Sequence, residues 1–119
     1  MKTGEIVAQL VKYINAGENV KAEKELYAED SISIEQDGST VKGLAGIVAK
    51  TENMGKYFEA FYGAKVTTAF IGADSFLIEI TLDAQRKGGE RETSKEWGHY
   101  FVKDGKISAE YFFMMPTSL

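Results

Sequence analysis

The chain has 119 residues, 44% hydrophobic and 27% charged, with a formal net charge of −4, which are values of an ordinary globular protein. With no cysteine and one histidine, disulfides, thiolate metal sites and histidine-rich zinc or iron centres are excluded, and no loop has the spacing of a calcium site. Its 14 basic residues form no stripe that could neutralise nucleic-acid phosphates, and no apolar run approaches the ~20 residues of a membrane span.

The amino terminus lacks the charged-then-apolar layout of a signal peptide, so the expected location is cytoplasmic, and residues 1–119 read as one domain. Thr3 is a plausible helix N-cap. Ile6, Val7, Leu10, Val11 and Ile14 then fall on one stripe before Gly17 stops the helix. A shorter helix is expected from Glu18 or Asn19 to about Ala28. Glu23, Glu25, Glu29 and Asp30 at its end read as a solvated acidic cluster. Residues 31–35 alternate and predict a short strand, closed by a turn at Asp37-Gly38. From about Gly43 to Tyr62, Leu44, Ile47, Val48, Thr51, Met54, Phe58 and Phe61 keep helical spacing and predict a third helix. Its Tyr57, Phe58, Phe61 and Tyr62 would pack on a sheet or close the mouth of a cavity.

After Gly63 the period becomes two. The segments 66–71, 75–85, 92–102 and 106–114 predict four strands separated by turns at Gly72–Asp74, Gly88-Gly89 and Asp104-Gly105. The terminal FFMMPTSL is expected to extend the last strand into a pocket wall or a dimer contact. Helices followed by a meander predict an α+β fold, with helices on one face of a curved antiparallel sheet. Seven Phe and six Tyr, against one Trp, are enough to build a broad core or line a cavity.

If Asp104-Gly105 and Gly88-Gly89 are two-residue loops, register follows. Lys103 then pairs with Lys106 and Lys87 with Glu90. One face collects Phe76, Ile78, Ile80, Leu82, Trp97, His99, Phe101, Glu110, Phe112 and Met114, and the other collects Leu77, Glu79, Tyr100 and Tyr111. The first face is almost wholly apolar and is expected to lie beneath the helices. His99 would face Glu110 across the strands. A buried carboxylate needs such a partner, and the pair is one that general acid–base catalysis uses. It is equally a plain structural hydrogen bond.

The order of these elements, with YAED ending the second helix, VKG entering the third and FVKDGKI in the last hairpin, resembles the SnoaL-like branch of the nuclear transport factor 2 superfamily. That branch includes ketosteroid isomerase, polyketide cyclases and dehydratases. The resemblance implies a cone-shaped barrel, made of a strongly bent antiparallel sheet wrapped around N-terminal helices (a cystatin-like fold), with a pocket at its open end and a homodimeric state. Matching the isomerase's F-A-D-D segment to YAED puts Glu35 at its catalytic base. Its two oxyanion donors would fall on Leu10 and on Trp97 or Gly98, none of which can serve. The epoxide-hydrolase branch needs an Asp-Arg-Asp cluster, whereas Arg86 and Arg91 both flank one turn. The cyclase branch uses a carboxylate with a nearby histidine, and His99 with Glu110 is similar in kind.

Three functions follow as expectations. The first is a metal-free, cofactor-free isomerase, cyclase or dehydratase that uses His99, Glu110 and Glu35 on a small apolar or ring-containing molecule. Trp97, Phe101, Phe112, Met114, Phe58, Ile78 and Ile80 would hold that molecule. The second is a non-catalytic protein binding an apolar ligand in the same cone. The third is a dimerisation module whose interface would use Leu77, Tyr100 and Tyr111. No nucleic-acid or membrane partner is expected.

Overall fold

The computed structural model describes residues 1–114. Helix α1 (Thr3–Asn15) buries Ile6, Val7, Leu10 and Ile14, the stripe expected from their spacing. Helix α2 (Asn19–Leu26) follows after a turn at Gly17, whose φ of +74° suits glycine. Strand β1 (Tyr27–Ile34) starts at once, four residues earlier than its alternating pattern suggested. A short strand β2 (Thr40–Lys42), not foreseen, pairs antiparallel with β1. Helix α3 (Leu44–Asn53) and a 3-10 turn (Met54–Tyr57) lead into three long strands and a final shorter one. These are β3 (Phe58–Ile71), β4 (Ser75–Arg86), β5 (Arg91–Lys103) and β6 (Lys106–Phe113).

The six strands form one mixed sheet in the order β2-β1-β6-β5-β4-β3, strongly curled without closing. All neighbours are antiparallel except β1 and β6, which run parallel, so the sheet is not purely antiparallel as expected. The helices cover its concave side. The core joins Ile6, Leu10 and Ile14 of α1 and Leu26 of α2 to Ile47 of α3, and reaches the sheet at Phe76, Ile78 and Tyr100. No helix among the described residues is long and apolar enough to cross a membrane.

The third helix ends at Asn53, nine residues before its expected end at Tyr62. Apolar spacing persists through Phe58 and Phe61, but these residues belong to β3, where Phe58 pairs with Arg86 and Phe61 with Ala84. The ladder to β4 satisfies their backbone groups, and local helical spacing gives way to it. Of the FFMMPTSL tail, Phe112 and Phe113 complete β6 and Met114 is exposed, while residues 115–119 lie outside the described residues.

Register departs from expectation at both hairpins. The Asp104-Gly105 loop is a two-residue turn with φ of +51° and +75°, and Lys103 pairs with Lys106 as expected. Ser108 then forms a bulge. Val102 pairs with Ile107 but Phe101 pairs with Ala109, and the Ser108 hydroxyl donates to the Phe101 carbonyl at 3.2 Å. At the other end of β5, the turn closes through Gly89 N–H to the Arg86 carbonyl, with Gly88 at φ +79°. Gln85 therefore pairs with Arg91, one residue away from the expected register. Each departure is one residue, and together they turn β5 over relative to both neighbours. Glu96, Gly98 and Tyr100 face the helices beside Ile80, Ile78 and Phe76, while Trp97, His99 and Phe101 face outward.

Candidate active site

A cavity of about 400 Å³ lies between the helices and the concave side of the sheet. Leu10, Ile14, Ala64, Ile80 and Leu82 make its aliphatic wall, with Tyr27, Phe58, Tyr100 and Phe112 as the aromatic part. Met54 and Phe61 are exposed and stand at its rim. Volume and lining are those of a small-molecule site.

Glu110 of β6 is 1% exposed and lies opposite Tyr100. The Tyr27 hydroxyl donates to its Oε2 at 2.7 Å. Burial pushes the Glu110 carboxyl from 4.5 to about 7, although Tyr27 and the Lys50 charge pull the other way. Glu23 of α2 is 7% exposed and also reaches about 7, again through burial, with the Thr51 hydroxyl donating to its Oε2 at 2.6 Å. Its Oε1 has no hydrogen-bond partner among the described residues. Glu96 of β5 is raised to about 7 by burial and by the neighbouring Glu35 charge, and it makes no side-chain hydrogen bond among the described residues. Burial and the Glu110 charge also raise the Tyr27 and Tyr100 hydroxyls well above their ordinary range.

Lys50 of α3 is the cation of this cavity. Its ammonium contacts Ser33 and forms an ion pair with Glu35 at 2.9 Å, and it lies 5.3 Å from the centre of the Phe112 ring. Its charge lowers the pKa of Glu23, Glu96 and Glu110 alike.

Of the residues singled out from the sequence, Glu35, Glu110, Phe58, Ile80 and Phe112 line this cavity. Ile78 is fully buried in the core behind it. His99 does not face Glu110. It pairs with Leu77 and Tyr111 on the outer face, its ring 4.4 Å from that of Phe101. Trp97 stacks on Phe70 at 6.3 Å on that same face, where Phe101 is 38% exposed. These three placements reverse the expectation because the bulge and the longer turn invert β5. Tyr100, expected outside, is 2% exposed and stacks on Phe76 at 4.9 Å.

Sequence reasoning also missed Glu23, Glu96 and Lys50. Glu23 reads from sequence as part of a solvated cluster, yet it stands three residues before Leu26 and four before Tyr27, on the buried stripe of α2. Glu96 had a fainter signal in Gly98. A Cβ there would lie 2.6 Å from Tyr100 Cε1, so the Tyr100 ring lies over Gly98 and the two must share a face with Glu96.

This geometry agrees with comparisons to known proteins. The profile of the SnoaL-like domain family matches residues 1–114. A proposed SnoaL-like polyketide cyclase from Mesorhizobium loti is 28% identical with a TM-score of 0.86, over 95% of this chain and 99% of that one. A second proposed SnoaL-like polyketide cyclase, from Jannaschia sp. CCS1, is 15% identical with a TM-score of 0.79, over 93% and 83%. A protein of ketosteroid isomerase-like fold from Catenulispora acidiphila, solved in complex with trimethylamine, is 20% identical with a TM-score of 0.76, over 98% and 89%. The last two likenesses speak for the fold alone. No curated protein matches the chain. With the helices inside a curled sheet, a cavity between them and a family profile spanning nearly every residue, the chain belongs to the SnoaL-like domain family.

Proposed function

We propose that the protein is a small-molecule enzyme of the isomerase or cyclase type that moves a proton on a compact, largely apolar substrate in this cavity. The observation that carries this reading is convergence. Glu96 and Glu110 on adjacent strands, with the Tyr27 and Tyr100 hydroxyls, line one apolar-walled cavity of substrate size. Glu96, without a hydrogen-bond partner among the described residues, is the base that takes a proton from a carbon beside a carbonyl. Glu110, held by Tyr27, is the acid that hydrogen-bonds the oxygen on which negative charge develops. Burial raises both carboxyls to about 7, so the charged and the protonated form of each is within reach near neutral pH. Glu35 and Lys50 set the charge beside them.

The test is solvent deuterium exchange into a panel of small cyclic ketones, followed by NMR. Exchange catalysed by the unaltered protein should fall about 100-fold or more in Glu96→Gln and Glu110→Gln, and persist in His99→Ala. Binding without exchange would replace the enzyme with a carrier of an apolar ligand. Loss of exchange in His99→Ala alone would return the chemistry to the outer face.

A second copy of the chain is the proposed partner of that outer face. Phe70, Phe101 and Tyr111 are exposed there beside Trp97 and His99, with Phe101 and Tyr111 packed edge to face at 5.5 Å. Charge placed in the patch should then dissociate the dimer, so Phe101→Glu should sediment as a monomer and the unaltered chain as a dimer.

A further inference from the structure

We propose that the ligand of this cavity carries a positive charge: a compact apolar molecule bearing a protonated or alkylated amine. The inference rests on the cavity reading above and names the class of molecule it admits. Four carboxyl side chains line the cavity (Glu23, Glu35, Glu96 and Glu110) against one cation, Lys50. Lys50 is already committed to Glu35 and Ser33. Among the described residues that line the cavity there is no second cation for the other three, which feel Lys50 only at a distance, with Arg86 adding to it at Glu96 alone.

Glu23 makes the deficit specific. It is 93% buried, lines the cavity, and has one oxygen bonded to Thr51 while the other is left without a partner among the described residues. A buried carboxylate in that state costs several kcal/mol unless it holds a proton, as its rise to about 7 allows, or a positive charge comes near it. Glu96 adds a second carboxyl free of hydrogen bonds from the described residues, on the opposite, sheet side of the cavity. A metal ion is a poor candidate for the missing charge. No three histidine, cysteine, aspartate or glutamate side chains are grouped closely enough to hold one among the described residues. The remaining walls suit an organic cation, since Tyr27, Phe58, Phe61, Tyr100 and Phe112 line the cavity with the carboxyls, and the Phe112 and Phe58 rings already carry the Lys50 and Arg86 charges at 5.3 and 5.7 Å.

The experiment uses three probes of one shape and different charge (benzylamine, benzyl alcohol and benzoate), titrated into the unaltered protein near neutral pH. Binding is read from NMR shifts of Tyr27, Tyr100 and Phe112. The expected order is benzylamine at least about tenfold tighter than benzyl alcohol, with benzoate weakest. In Glu23→Gln the ratio of benzylamine to benzyl alcohol affinity should shrink severalfold. Benzyl alcohol binding at these residues with no preference for benzylamine would overturn the inference and leave the cavity reading intact. Failure of all three probes to move these signals would overturn both. Should Glu23→Gln fold poorly, Glu96→Gln and the ranking on the unaltered chain decide the matter.

Discussion

On β5, two interleaved sets of side chains meet different surroundings. Trp97, His99 and Phe101 face outward and pack on Phe70, on one another and on Tyr111. Glu96, Gly98 and Tyr100 face the helices, where Glu96 lines the cavity and Tyr100 is 2% exposed. By hydropathy alone the first set belongs inside and the second outside. What the structure puts inside is a glycine that admits a tyrosine ring and a glutamate that the cavity makes tolerable. A carboxyl is bearable there because the cavity leaves it open to solvent or ligand, and because raising its pKa to about 7 lets it shed its charge. The aromatic set, in turn, is bearable outside because its rings cover one another, and such a patch is suited to a partner.

The sharpest way to break this comparison is at Gly98. A Cβ would sit 2.6 Å from Tyr100 Cε1, against the edge of a ring stacked on Phe76. Gly98→Val should therefore destabilise the fold by about 3 kcal/mol, the upper end for overpacking, as read by urea unfolding. Near-zero cost would mean that β5 faces the other way.

Glu110 should give the next largest effect, and it depends on pH. Its folded pKa of about 7 lies above the unfolded value of 4.5. Below pH 4.5 both states hold the proton and there is no penalty. Between these values the folded state keeps a proton that the unfolded chain releases, so stability falls as pH rises through the window. Glu110→Gln should remove that decline and gain roughly 2–3 kcal/mol above pH ~7, vanishing below pH ~5. A variant whose stability follows the unaltered protein across the window would place the titration elsewhere.

Tyr27→Phe removes the donor at 2.7 Å from a side chain that is 1% exposed. A loss of about 1–2 kcal/mol is expected, together with a further rise of the Glu110 pKa, visible in carboxyl carbon NMR shifts. Smallest of all should be His99→Ala, within about 0.5 kcal/mol for the folded protomer, because nothing in the core leans on the imidazole. A cost comparable to that of Tyr27→Phe would show that His99 has a buried partner after all.

Much of this molecule was legible before folding. The stripe of α1, the turn at Gly17, the strands of the meander and the order of elements apart from β2 follow from local patterns, and so does the family resemblance. Glu35, to which the family resemblance pointed, and Glu110 and Phe112, which the expected hairpin register put on the inner face, line the cavity as well. The end of α3 was not legible. Phe58 and Phe61 satisfy a helical period and a strand equally, and only pairing with Arg86 and Ala84 decides between them.

The facing of β5 belonged to tertiary structure for a sharper reason. Side chains alternate with a period of two, so facing is a matter of odd or even, and a one-residue change reverses it. The Ser108 bulge supplies one such change and the turn through Gly88 another. They cancel across β5, which is why β4 and β6 were oriented correctly from sequence while the strand between them was inverted. Composition and periodicity determine which segments become helices and strands and what the wall of the cone is made of. Whether Glu96 or His99 stands in the cavity is settled by backbone hydrogen bonding at two turns, where the hydropathy of β5 itself points the wrong way.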